Sequence, residues 1–230
     1  MGTGGTLRTT CRGRQRRVRC AVVADRVLLI RHGETDWTAD RRHTGRTDLP
    51  LNTEGERRAG RLAPFLASFP DARLATVFTS PLRRARQTSQ LAGVGERALV
   101  DDDLVEWDYG EFEGTRTADL RTTDPDWSIW TAEIHAGETL GEVARRADSF
   151  LGRLRRIEGI VMVFAHAHFL RILAARWCGW PAAEGCHLTL LPASISVLGY
   201  EREVPVIEQW NLNTDSPPGV DDHGYAGMGQ

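Results

Sequence analysis

Lysine is absent from this chain of 230 residues, and all 29 basic side chains are arginine. That bias reads mainly as the base composition of the coding DNA and carries little functional weight. Cysteine is scarce: Cys11, Cys20, Cys178 and Cys186 make no C-x-x-C pair. Free thiols in a reducing, cytoplasmic setting are therefore expected, rather than a disulfide framework. No run approaches the roughly 20 apolar residues that a membrane-spanning helix needs, so a soluble protein with no membrane partner is expected. Excess positive charge is also missing. The formal charge of -2 argues against a nucleic-acid partner, because such proteins gain affinity by releasing counterions from phosphates with clustered basic side chains. A small anionic ligand stays open if positive charge is concentrated locally.

With 41% apolar and 26% charged residues, the chain can bury one core and a small cap. Residues 1–24 carry Arg8, Arg12, Arg14, Arg16, Arg17 and Arg19 and read as a disordered basic tail. A cleavable leader is disfavoured, since cutting after the apolar run Val27 to Ile30 would remove the adjacent Arg31 and His32. From residue 25 to 212 short β-branched runs alternate with amphipathic segments. This predicts a three-layer α/β/α sandwich with a mostly parallel central sheet. Strands are expected at Val27–Ile30, Ala75–Thr79 and Ile160–Phe164, with two or three more between Leu188 and Gln209. Asn52 or Thr53 should cap a helix running to about Phe69, stopped by Pro70 and Asp71. Ser80 and Pro81 read as the N-cap and first position of the next helix. Leu140, Val143, Ala144, Ala147, Phe150, Leu151, Leu154 and Ile157 form one helical apolar stripe, and Phe169–Trp177 is a further helix. The irregular stretch of about 102–138, rich in Trp, Gly, Asp and Glu, reads as a cap inserted over one end of the sheet. Residues 213–230 have the composition of a disordered tail.

Three buried strands end directly in polar groups: Ile30 is followed by Arg31 and His32, Thr79 by Ser80 through Arg84, and Phe164 by Ala165, His166, Ala167 and His168. In an open α/β sheet ligands bind beyond the carboxyl ends of the strands, where helix N-termini present unpaired N–H groups to an anion. Two arginines and two histidines can thus converge on one phosphate-sized pocket. Adjacent Arg83 reads as a helix-surface charge.

Arg31-His32-Gly33-Glu34-Thr35 resembles the R-H-G motif of the histidine phosphatase superfamily, which includes cofactor-dependent phosphoglycerate mutases. Ser80-Pro81-Leu82-Arg83-Arg84-Ala85, Glu106 to Gly110 with Glu113-Gly114, and Ala165-His166-Ala167 are similar to its other segments, in family order over roughly Val27 to Leu173. The resemblance implies a phosphohistidine on His32 and a proton donor in Glu106. It also implies that His166, Arg31 and Arg84 bind the transferring phosphoryl group. Chemistry supports this assignment: nearby Arg31 and Arg84 would keep His32 neutral and nucleophilic, and cationic groups stabilise the charge of phosphoryl transfer. Neither cofactor nor metal is expected. Ala167 stands where the family commonly has Gly, and Thr38 where mutases often carry Asn.

The compact insertion and the absence of lysine favour hydrolysis over mutase-type phosphoryl transfer. Arg42-His43-Thr44-Gly45 through Asp48, with Glu106 to Gly110, resembles a subgroup of broad acid phosphatases and sugar-bisphosphate phosphatases. This suggests a small phosphorylated metabolite such as a sugar phosphate. Arg42 and His43 are placed near its distal part, with Thr38, Thr44, Gly45 and Ala167 as further substrate-binding positions. His168 and His43 are each balanced between shaping the substrate site and being an ordinary surface histidine. Two other classes stay open: a catalytically inactive phospholigand-binding regulator, and a metal hydrolase using His32, His43, His166 and His168, whose ligand spacing forms no recognised helical pair. A homodimer is compatible with the chain.

Overall fold

The computed structural model describes residues 24–69 and 71–213. The two tails, Cys11 and Cys20, and the Pro70 expected to stop a helix lie outside the described residues.

The elements follow in chain order. Strand β1 (Arg26–Arg31) leads to a short helix α1 (Asp36–Ala39) and then α2 (Thr53–Ala67). Strand β2 (Thr76–Thr79) precedes α3 (Arg83–Leu91) and the two-residue strand β3 (Leu99–Val100). After three-residue 3-10 turns and α4 (Thr117–Leu120) come α5 (Leu140–Leu154), β4 (Ile160–Ala165) and α6 (Ala167–Trp177). A hairpin of β5 (Ile195–Glu201) and β6 (Val204–Leu212) completes the sheet.

The six strands lie in the order β3-β2-β4-β1-β5-β6. The first four are mutually parallel, and β5 and β6 are antiparallel to their neighbours. Continuous apolar runs in β1 and β4 are what a sheet covered on both faces requires. Alternate residues serve opposite layers: Val27, Leu29, Val161 and Val163 pack with Val143, Phe150, Phe169 and Leu173 of α5 and α6. Leu28, Ile30, Met162 and Phe164 pack with Leu62 and Leu66 of α2. The helix stripe read from the sequence is therefore real core, and α5 starts with a capping box between Thr139 and Glu142.

Several local expectations shift. Helix α2 is capped by Asn52, whose side chain accepts from the Gly55 N–H, and it ends at Ala67. Ser80 is not a helix cap: α3 begins at Arg83 with Leu82 in the N-cap position. The helix expected at Phe169 begins at Ala167, with His166 the single residue between it and β4. Between Leu188 and Gln209 there are two strands, the second reaching Leu212. Parallel register supplies the geometry that matters for the site. Arg31 pairs with Ala165 and Thr79 with Phe164, so His32, Ser80 and His166 leave the sheet side by side.

Candidate active site

His32 follows β1 directly and is only 4% exposed. Its Nδ1 lies 2.6 Å from the Gly33 carbonyl oxygen. A carbonyl can only accept, so Nδ1 carries the proton and Nε2 keeps its lone pair. Burial, and then the charges of Arg84 and Arg31, hold the pKa well below the ordinary histidine value, against the opposing pull of the Gly33 carbonyl. The ring is thus a neutral base with one fixed tautomer. The main chain on either side is held by the Ala165 carbonyl, which accepts from His32 N–H, and by Ala193 N–H, which donates to the His32 carbonyl.

His166 packs against it, with ring centroids 5.1 Å apart. Its Nδ1 accepts from Nε of Arg84 at 3.1 Å. Arginine cannot accept, so the His166 proton sits on Nε2 and is donated to Ser80 Oγ at 2.8 Å. This is the work of Ser80 that replaces the expected helix cap. Burial and then Arg84 push the His166 pKa well below its usual value. Arg84 is fully buried, and besides the bond to His166 its guanidinium donates to the carbonyls of Thr47, Thr44 and Gly45. Burial lowers its pKa, with Glu106 opposing.

Glu106 is 3% exposed. Its carboxylate accepts from the N–H groups of Trp107 and Phe169 at 2.9 Å and of His168 at 3.1 Å. Two of these donors belong to the first turn of α6, where unsatisfied N–H groups and the helix dipole favour a carboxylate. Arg146 fixes the preceding backbone by donating to the Asp103, Val105 and Glu106 carbonyls, while it pairs with Glu138. Arg31 donates through Nη1 to the Leu190 carbonyl. Among the described residues its Nε is the buried side-chain nitrogen left without a partner. Burial lowers the Arg31 pKa to about 10, which leaves it cationic at neutral pH.

A cavity of about 550 Å³ opens beside these groups. Arg31, His32, Glu106, Thr38, Arg42, His43, Thr44 and Ala167 line it, as the sequence assignments require. Arg84 and His166 are brought to the same place but form a layer behind the wall, and Gly45 is buried with them, receiving the Arg84 bond. His168 also lines the cavity and shares a 2.6 Å hydrogen bond with the Tyr109 hydroxyl. It is thus no surface histidine. Burial and then Arg171 lower its pKa well below normal, and burial raises that of Tyr109. His43 contacts Tyr109 and Trp127 with centroids at 5.0 and 5.5 Å. Glu34, Arg41, Tyr109, Thr117, Leu191 and Pro192 complete the lining. Leu191 and Pro192 precede β5, nearly 160 residues from His32 in the chain, and no local pattern announces them. Tyr109 and Glu34 sit inside recognisable motifs and could have been singled out there. Among the described residues no three His, Cys, Asp or Glu side chains are grouped as metal ligands.

Comparison with known proteins gives consistent results. A model of the histidine phosphatase superfamily (branch 1) matches residues 27–213. An acid phosphatase of Mycobacterium tuberculosis is 39% identical over 181 residues, which cover 78% of this chain and 88% of that protein. Sedoheptulose 1,7-bisphosphatase of Saccharomyces cerevisiae is 35% identical over 193 residues, covering 70% of each chain. Among solved structures, a mycobacterial glucosyl-3-phosphoglycerate phosphatase in complex with VO3 superposes with a TM-score of 0.70 at 27% identity, over 82% of this chain and 99% of that one.

Proposed function

Because this chain belongs to the histidine phosphatase superfamily (branch 1) and is a phosphatase, we propose that His32 is its nucleophile, Glu106 its proton donor, and a small phosphorylated metabolite its substrate. The observation that carries the reading is the fixed tautomer of His32, which leaves Nε2 unprotonated on a residue lining the same cavity as Arg31 and Glu106.

In the first half-reaction the Nε2 lone pair forms a bond to phosphorus as the ester P–O bond breaks. Protonated Glu106 gives its proton to the departing alkoxide, which leaves as the alcohol. In the second, the Glu106 carboxylate takes a proton from water as the water oxygen attacks the phosphohistidine. The N–P bond breaks, inorganic phosphate leaves, and neutral His32 is restored. Arg31, with its unpartnered Nε, holds phosphoryl oxygens; Arg84 adds positive potential from the layer behind, where low polarity strengthens it, and the neutral His166 ring orients Arg84 by accepting from its Nε. No step requires a metal. Hydrolysis needs water at the phosphohistidine, and an open cavity much larger than a phosphate admits it. Thr38, Arg42, His43, Thr44 and Ala167 surround the leaving group, and Gly45 supports the site by fixing Arg84. The yeast bisphosphatase and the mycobacterial phosphatase make phosphorylated sugars and phosphorylated hydroxy acids the substrates to test first.

A rapid alkaline quench during turnover of an aryl phosphate should trap a phosphoprotein that is stable in base and loses its phosphate on acidification. The folded His32→Ala variant should form none and lose at least about 10³-fold in kcat. Turnover retained by that variant would overturn the assignment. Interconversion of phosphoglycerates with little phosphate release would overturn hydrolysis in favour of a mutase.

A further inference from the structure

One cation on the wall of the cavity has no work in the scheme above. Arg41 lines the cavity at its solvent side. Its guanidinium makes no hydrogen bond or ion pair among the described residues, whereas neighbouring Arg42 is held by Asp40 at 3.2 Å and lies over the Trp37 ring. No ion pair joins Arg41 to either carboxylate of the lining among the described residues: Glu106 accepts from three backbone N–H groups, and Glu34 from the Asn52 side chain.

Its backbone is equally telling. Arg41 follows the C-terminus of α1 with φ of 58°, and the turn is closed by Arg41 N–H to the Thr38 carbonyl and Arg42 N–H to the Trp37 carbonyl. This left-handed position after a helix is the one glycine fills at least cost, because a Cβ there crowds the following carbonyl. A long cationic side chain occupies it here and stands at the mouth of the cavity. The volume of about 550 Å³ exceeds what one phosphoryl group fills and suits a larger metabolite. With the transferred group at His32, the far end of such a molecule reaches the mouth.

We propose that Arg41 forms a second anion subsite, which selects substrates carrying a phosphate or carboxylate at the end remote from the transferred phosphoryl group. The inference rests on the phosphatase reading and narrows its substrate class. A guanidinium offers both anions the same paired N–H donors, so separate substrates must distinguish them.

The test compares wild type with Arg41→Gly, Arg41→Gln and Arg41→Lys on fructose bisphosphate, fructose monophosphate, phosphoglycerate and p-nitrophenyl phosphate. For the glycine and glutamine variants, the kcat/KM ratio of bisphosphate to monophosphate should fall about tenfold, mainly through KM. The lysine variant should recover most of it. A matching fall for phosphoglycerate relative to p-nitrophenyl phosphate assigns the subsite to carboxylates as well, and its absence assigns it to phosphate alone. Arg41→Gly should also melt no lower than wild type, since glycine relieves the left-handed backbone; a merely structural role for Arg41 predicts the opposite. An unchanged ratio, or an equal loss on all four substrates, would overturn the proposal. Failure of wild type to hydrolyse any of them would instead overturn the phosphatase reading. Dissociation constants of the two fructose phosphates on the same proteins would then still decide the role of Arg41.

Discussion

At the two adjacent imidazoles the tautomers are set by fixed neighbours: the Gly33 carbonyl beside His32, and the Arg84 guanidinium and Ser80 hydroxyl about His166. The sequence identified both histidines and both arginines, because each directly follows a buried strand or opens the helix behind it. It misassigned Ser80, since a Ser-Pro pair before a helix looks like a cap whichever way the hydroxyl turns. Ser80 is a positioning residue in this site. Ser80→Ala removes the acceptor for the His166 Nε2–H and leaves that buried donor unpaired, so the ring can tilt away from His32. Steady-state kinetics with an aryl phosphate should show kcat reduced about tenfold with a smaller change in KM. Ser80→Thr, which keeps the hydroxyl, should recover part of the loss. Equal kinetics in wild type and the alanine variant would show that the His166 orientation does not depend on this bond.

At the scale of elements, the strand ends and helix starts were legible wherever composition and spacing agreed, as in β1, β4 and α5. The contact between the loop after β1 and the first turn of α2 was not. Gly55 is the third residue of α2, and a Cβ added there would lie 2.1 Å from the Glu34 carbonyl oxygen, while one on Gly33 would meet the Gly55 carbonyl at 2.6 Å. Two glycines thus let a helix press against the segment that carries His32, which fixes its height above the sheet. Gly55→Ala must push that segment away. The expected result is a loss of about 1–3 kcal/mol in denaturant unfolding together with lower kcat, and the two should fall together. A variant of normal stability and activity would mean that the loop yields without moving His32. In a sequence with 23 glycines nothing local marks these two, because the clash depends on where another segment passes.

For the whole molecule, pH is the variable that reads the buried site. His32, His166 and His168 all have pKa values pushed well below the ordinary 6.5, in each case first by burial. The unfolded chain therefore binds protons near pH 6.5 that the native state refuses, so stability rises with pH where the unfolded imidazoles are charged. Their contribution is complete above about pH 7.5 and is lost as pH falls through 6.5 toward the depressed native values. Each group adds a slope of up to about 1.4 kcal/mol per pH unit. Urea unfolding at pH 8, 6.5 and 5.5 should show a flat upper range and a steep fall below it, and His168→Gln should make the fall shallower. A level profile down to pH 5 would mean that the imidazoles ionise freely in the native protein. What the sequence alone determined was the class of fold, the order of its elements and which side chains to look for at the strand ends, because apolar period and motif order are local properties of a chain. Only the tertiary structure decided that Arg84 and His166 stand behind the cavity wall, that Ser80 serves a histidine, and that Arg41 rather than Arg42 is left uncompensated at the mouth. Those outcomes depend on parallel register and on partners far apart in the chain, and neither leaves a mark in the spacing of residues along it.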